Sequence, residues 1–144
     1  MNAEEKKLTV EASLVNLDLV LAFVEKELEA ASCPAKIQGQ ICVAFEELYV
    51  NIANYAYEGQ TGECIICLCI STDGNGKRLE LILKDKGKPF NPLDKADPDI
   101  SLSAEDRPIG GLGIFMVKKI MDEVSYSYQE GFNCLTLVKK WIAE

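Results

Sequence analysis

The chain has 144 residues, 48% of them hydrophobic and 26% charged, with a formal net charge of −8 and no histidine. A chain of this length buries a core without disulfide or metal staples, so one domain over residues 1–144 is expected. The acidic balance disfavours nucleic acid and anionic membranes as partners. The missing histidine excludes Ser-His-Asp and Cys-His nucleophilic machinery and a kinase that phosphorylates its own histidine. With no apolar run of membrane-spanning length and a polar start at Met1–Lys7, a cytoplasmic protein is expected.

Leu8, Val10, Ala12 and Leu14 alternate up to Val15 and predict a first strand. Asn16 caps a helix to Ala31 with an apolar stripe of Leu17, Val20, Leu21, Val24 and Leu28. Pro34 to about Tyr57 is expected as one long second helix, on the core-stripe spacing of Ile37, Ile41, Ala44, Leu48, Ile52 and Tyr55. Glu63 to Ser71, apolar on both faces, predicts a central strand. Cys67 and Cys69 fall on one face of it and Cys64 on the other, so the three do not converge on a metal and are expected as small hydrophobes.

Asp73-Gly74-Asn75-Gly76 signals a hairpin into the strand Arg78 to Asp85. Residues 91–109 are rich in Pro, Asp and Ser without sustained periodicity, as a functional loop or lid would be. A third helix is expected from Gly113 to Met121, then a hairpin of Val124 to Glu130 and Asn133 to Lys140 around Gly131. The order β-α-α-β-β-loop-α-β-β predicts an α/β (α+β) two-layer sandwich, a mostly antiparallel mixed sheet with three helices on one face.

Three stretches carry chemistry. By period two, Asp85 shares the apolar face of Leu79, Leu81 and Leu83. An inward carboxylate needs a partner. A purine exocyclic amine is one, and Gly87 would admit a flat ring close to the backbone; an acid of an ordinary Asp-Lys-Gly-Lys-Pro turn has the same pattern. On the second helix Glu47 and Asn51 stand one turn apart, with Asn54 continuing the strip. The Asn51 carboxamide suits Mg²⁺, and Glu47 could orient or deprotonate a hydroxyl. The polar flank of an amphipathic helix reads alike. Gly110-Gly111-Leu112-Gly113 opens the third helix with free N–H groups suited to phosphate, as a hinge also could.

In order and separation, Glu47-Leu48-Tyr49-Val50-Asn51, Asp85-Lys86-Gly87-Lys88-Pro89-Phe90 and Gly110-Gly111-Leu112-Gly113 resemble the Bergerat ATP-binding fold of gyrase, heat-shock chaperone, histidine kinases and mismatch-repair ATPases. Within it the chain looks most like the bacterial anti-sigma-factor serine/threonine kinases. That resemblance implies ATP and Mg²⁺ as cofactors, with Asn51 on the metal, Glu47 catalytic, and Asp85 on the adenine amine with Gly87 beside it. It also implies phosphate held by Gly110, Gly111, Leu112 and Gly113, Thr136 near adenine, and Arg107 of the lid reaching phosphate or protein substrate. The implied function is an anti-sigma regulatory kinase that phosphorylates a small anti-anti-sigma antagonist and binds a sigma factor, acting as a homodimer. The alternatives are an ATP-binding module that sequesters a partner without phosphotransfer, and an orphan ATPase.

Overall fold

The computed structural model describes residues 4–94 and 111–142. Five strands form one sheet in the order β1-β2-β3-β5-β4, namely β1 (Glu5–Glu11), β2 (Glu63–Asp73), β3 (Gly76–Asp85), β4 (Glu123–Gln129) and β5 (Phe132–Ile142). Every neighbouring pair is antiparallel. The expected two-layer α+β sandwich is therefore present, with α1 (Leu17–Ala30), α2 (Ala35–Asn51) and α3 (Gly111–Ile120) as its helices.

The core lies between the helices and one face of the sheet. Helix α1 turns Val20, Val24 and Leu28 inward, and α2 turns Ile41, Ala44, Phe45, Leu48 and Tyr49 inward. Against them stand Leu79, Leu81 and Leu83 of β3 and Leu137 of β5, all fully buried. The two hairpins close as their sequences require. Gly74 sits at φ 62° between β2 and β3, and Glu130 and Gly131 at φ 54° and 85° between β4 and β5.

Two elements differ from the sequence expectation. Strand β1 ends at Glu11 and not near Val15, because Ser13 accepts a hydrogen bond from the Val15 amide (3.2 Å) and starts a 3₁₀ turn over Leu14–Asn16. The hydroxyl of Tyr49 fixes that corner, donating to the Ser13 carbonyl at 2.8 Å. The second helix is regular only to Asn51; Ile52–Ala56 is a π turn. That wider turn feeds the chain into the site, which lies at this end of the sheet. Among the described residues no helix is long and apolar enough to cross a membrane.

Candidate functional site

Strand β3 delivers the first functional group. The alternation that buries Leu79, Leu81 and Leu83 carries Asp85 onto the same face at the strand's end, where it is 4% exposed. The carboxylate is not left bare. Its Oδ1 accepts from the Gly87 amide at 2.9 Å and from Asn133 Nδ2 at 3.0 Å. Oδ2 has no partner among the described residues. Burial pushes the Asp85 pKa up, and the hydrogen bonds from Asn133 and Gly87 partly counter that push. Beside it across β2, burial and then the Asp85 charge push the Cys64 thiol up to about 12, so it stays neutral.

A cavity of about 550 Å³ opens in front of Asp85, within the usual range for small-molecule sites. Ile52, Ile114 and Leu135 give it apolar walls, and Asn51, Asp85 and Asn133 give it polar groups. Lys88, Phe90 and Tyr55 also line it, and the aromatic pair is largely exposed. A slot with apolar sides and an unsatisfied carboxylate oxygen at its buried end suits a flat heterocycle bearing an N–H donor. The fit to a purine amine therefore rests on Asp85 Oδ2.

The turn after Asp85 is locked to the π turn. A Cβ on Gly87 would collide with the Ala56 backbone, coming 2.7 Å from its carbonyl carbon. Lys88 donates to the Ala56 carbonyl at 3.3 Å, and Lys86 donates to the Tyr57 hydroxyl at 2.8 Å. Gly87 is thus a glycine for the sake of Ala56, where the sequence suggested the approach of a flat ring. It is buried and does not line the cavity.

At the other end stands α3, whose first turn begins at Gly111 and Leu112. Its N-terminal amides have no intrahelical acceptors and carry the positive end of the helix dipole. Glu47 of α2 lies against this turn: a Cβ on Gly113 would meet its carboxylate and come 2.8 Å from its Cγ. Glu47 and Gly113 share a shallow hollow with Val43, Met116, Val117 and Ile120, next to the cavity that Asp85 and Asn51 line.

The fold thus brings Asp85 and Asn51 together in one cavity and sets Glu47 beside Gly113 at the helix start. Two expected residues lie elsewhere. Asn54 is exposed and absent from the cavity lining, because the wider π turn brings Tyr55 and Ala56 to the Asn51 side in its place. Thr136 pairs with Ile82, on the sheet face opposite Asp85. The register puts Asn133 across from Asp85, and Asn133 with Leu135 lines the cavity from β5. Arg107 and Gly110 fall outside the described residues, as does most of the 91–109 loop.

Sequence reasoning missed Asn133, though a signal existed. Counting back by two from Leu137 through Leu135 puts this amide on the inward face, as the same count did for Asp85.

A family model described as a histidine kinase-like ATPase domain matches residues 10–139. The chain is also similar to serine-protein kinase RsbW of Bacillus cereus (strain AH187), 33% identical over 97 residues, covering 65% of this chain and 58% of the relative. The RsbW proteins of Bacillus mycoides (strain KBAB4) and Bacillus anthracis (strain CDC 684 / NRRL 3495) are 32% identical over the same shares. The chain matches over somewhat more than half the length of these relatives.

Proposed function

We propose, from the premise that the chain belongs to the histidine kinase-like ATPase domain family, that it is an ATP-dependent serine/threonine protein kinase of the anti-sigma type. The observation that carries the nucleotide part is Asp85, a buried carboxylate with one oxygen tied to its own turn and the other unpartnered beside the cavity. An adenine amine satisfies that oxygen. The α3 N-terminus, with Gly110, Gly111, Leu112 and Gly113, holds the phosphates. Asn51 supplies one oxygen to Mg²⁺, an ion that commonly takes few protein ligands and completes its shell from phosphate and water. Bound there, ATP and Mg²⁺ supply the transferable phosphoryl group and the neutralisation of its charge.

Glu47 lies against the first turn of α3, where a phosphate held by that turn would be. In this reading it accepts the proton of the incoming serine or threonine hydroxyl, in the manner of a kinase's catalytic carboxylate. The substrate is a small anti-anti-sigma antagonist, and a sigma factor is the competing partner. The names of the RsbW relatives support a serine substrate. The matched span, residues 10–139, supports a histidine kinase-like ATPase domain. In the proposed reading it is a single domain that acts in the cytoplasm as a homodimer, with the 91–109 loop as its lid and Arg107 on it.

A second reading has one observation in its favour. Glu47 is outside the described lining of the Asp85 cavity, as it would be in a module that binds nucleotide and sequesters a partner without phosphotransfer. Two measurements separate these. Calorimetry with Mg·ATP should show binding that Asp85→Asn abolishes; undiminished binding would mean the base lies elsewhere. Transfer from labelled ATP to the cognate antagonist should occur with wild type and fail with Glu47→Gln. Equal transfer by both removes Glu47 from the chemistry, and no transfer by either leaves the sequestering module.

A further inference from the structure

Asn133 is 5% exposed, lines the cavity, and spends its whole hydrogen-bonding capacity on the protein. Its Nδ2 faces three acceptors: Asp85 Oδ1 at 3.0 Å and the carbonyls of Gly87 and Lys88, each at 3.2 Å. Its Oδ1 accepts from the Phe90 amide at 3.1 Å and from the Tyr126 hydroxyl. A backbone amide only donates and a carbonyl only accepts, so the side chain can sit one way round. An amide has two N–H groups and two lone pairs. None is left over for a ligand, although the residue stands at the cavity wall.

That saturation separates Asn133 from Asp85. The carboxylate has one committed oxygen and one uncommitted oxygen, and Asn133 and Gly87 together decide which is which. Without the Asn133 amide, rotation about the Asp85 side chain would be restrained by the Gly87 amide alone. Asn133 also pins the turn to Phe90 and, through Tyr126 of β4, ties it to the far edge of the sheet.

We infer that Asn133 is a positioning residue for base recognition: it fixes Asp85 so that Oδ2 alone faces the ligand's exocyclic amine, and Tyr126 fixes Asn133 in turn. This rests on the nucleotide reading of the cavity given above. It assigns discrimination for a six-amino purine to two residues from β5 and β4 that touch no ligand atom through a hydrogen bond of their own.

The test compares two probes, ATP and purine ribonucleoside triphosphate, which lacks only the six-amino group. Calorimetry gives the ratio of their affinities for the wild type, Asn133→Leu and Tyr126→Phe. A wild type that binds ATP more tightly than the analogue engages the amine. In Asn133→Leu the affinity for ATP should fall about tenfold while that for the analogue holds, so the ratio shrinks. Tyr126→Phe should narrow the ratio roughly twofold to threefold, since it removes one hydrogen bond at one remove from Asp85.

Equal weakening of both probes in Asn133→Leu would make Asn133 a scaffold residue and overturn the inference. Should Asn133→Leu show no cooperative melting transition, Tyr126→Phe decides alone, and an unchanged ratio there also overturns it. A wild type that binds neither probe, or both alike, fails at an earlier point: the adenine reading falls, and the positioning role with it.

Discussion

Neither Gly87 nor Gly113 has room for a Cβ, but what stands in the way differs. At Gly87 it is backbone, the carbonyl group of Ala56. At Gly113 it is the end of a flexible side chain, the Glu47 carboxylate. The two glycines mark the two ends of the site, and their neighbours describe how each end is built. The base end is a fixed socket in which the π turn, the 85–88 turn and Asn133 are fastened to one another by hydrogen bonds. One runs between main chains, and the others link the Tyr57 and Asn133 side chains to the main chain of the turn. The helix-start end is adjustable, since Glu47 can change rotamer without disturbing the fold. A socket that selects a base benefits from rigidity, while a carboxylate that must meet a hydroxyl delivered by another protein benefits from freedom.

The sharpest way to break this contrast is an alanine at each glycine. In Gly87→Ala the new methyl meets backbone that cannot swing aside, so the π turn and the 85–88 turn must separate. A loss of about 3 kcal/mol in unfolding free energy is expected from such overpacking, along with loss of nucleotide binding. Chemical denaturation and calorimetry measure both. Retained stability would show that the two turns are not rigidly joined. Gly113→Ala should behave differently. The methyl displaces Glu47, and an alanine in the first turn suits a helix better than glycine. The melting temperature should hold or rise, while phosphotransfer falls roughly a hundredfold from misplacement of the carboxylate. A variant that loses stability instead would place Gly113 with Gly87 in the fixed class.

Asp85 supplies the next test, because the base end holds a charge that the fold alone does not favour. Burial raises its pKa, so the native state prefers the protonated acid. The stability this contributes is present below the ordinary carboxylate pKa and is lost as the pH rises through the raised value. The facing Cys64, Tyr57 and Tyr126 are all pushed up by burial, so none offsets the charge near neutrality. Asp85→Asn should therefore melt higher than wild type at pH 7, an advantage that fades on acidification, while nucleotide binding is lost. Thermal melts without nucleotide across pH 4–8 check this. An advantage that grows in acid would mean that Asp85 is held ionised by a favourable partner.

How far the site was legible follows from the same physics. The inward turn of Asp85 could be read, because strand alternation is strict and the three leucines before it are unambiguous. The position of Glu47 beside Gly113 could be anticipated only as two motifs expected to meet, since nothing local joins α2 to α3. Asn54 was misplaced because helical spacing assumes about 3.6 residues per turn, and no pattern within Ile52–Ala56 announces the wider turn. The early end of β1 turned on one serine hydroxyl competing for a backbone amide. The reason for Gly87 lay in a tertiary contact with Ala56, 31 positions away in sequence.

Thr136 gives the smallest effect and the cleanest control on the face assignment. Resemblance to a family points to a hydroxyl on the last strand, yet here the register sets that hydroxyl opposite Ile82, away from Asp85. Asn133 occupies the inward position three residues earlier. Thr136→Val keeps the shape and the strand preference and removes only the hydroxyl. Nucleotide affinity and stability should each stay within about 0.5 kcal/mol of wild type. A larger loss of affinity, with stability unchanged, would require the hydroxyl to reach the ligand. That can happen only if β5 slips by an odd number of residues against β3, which would also turn Asn133 and Leu135 out of the cavity. The same variant, read beside Asn133→Leu, therefore tests the register that the whole base end depends on.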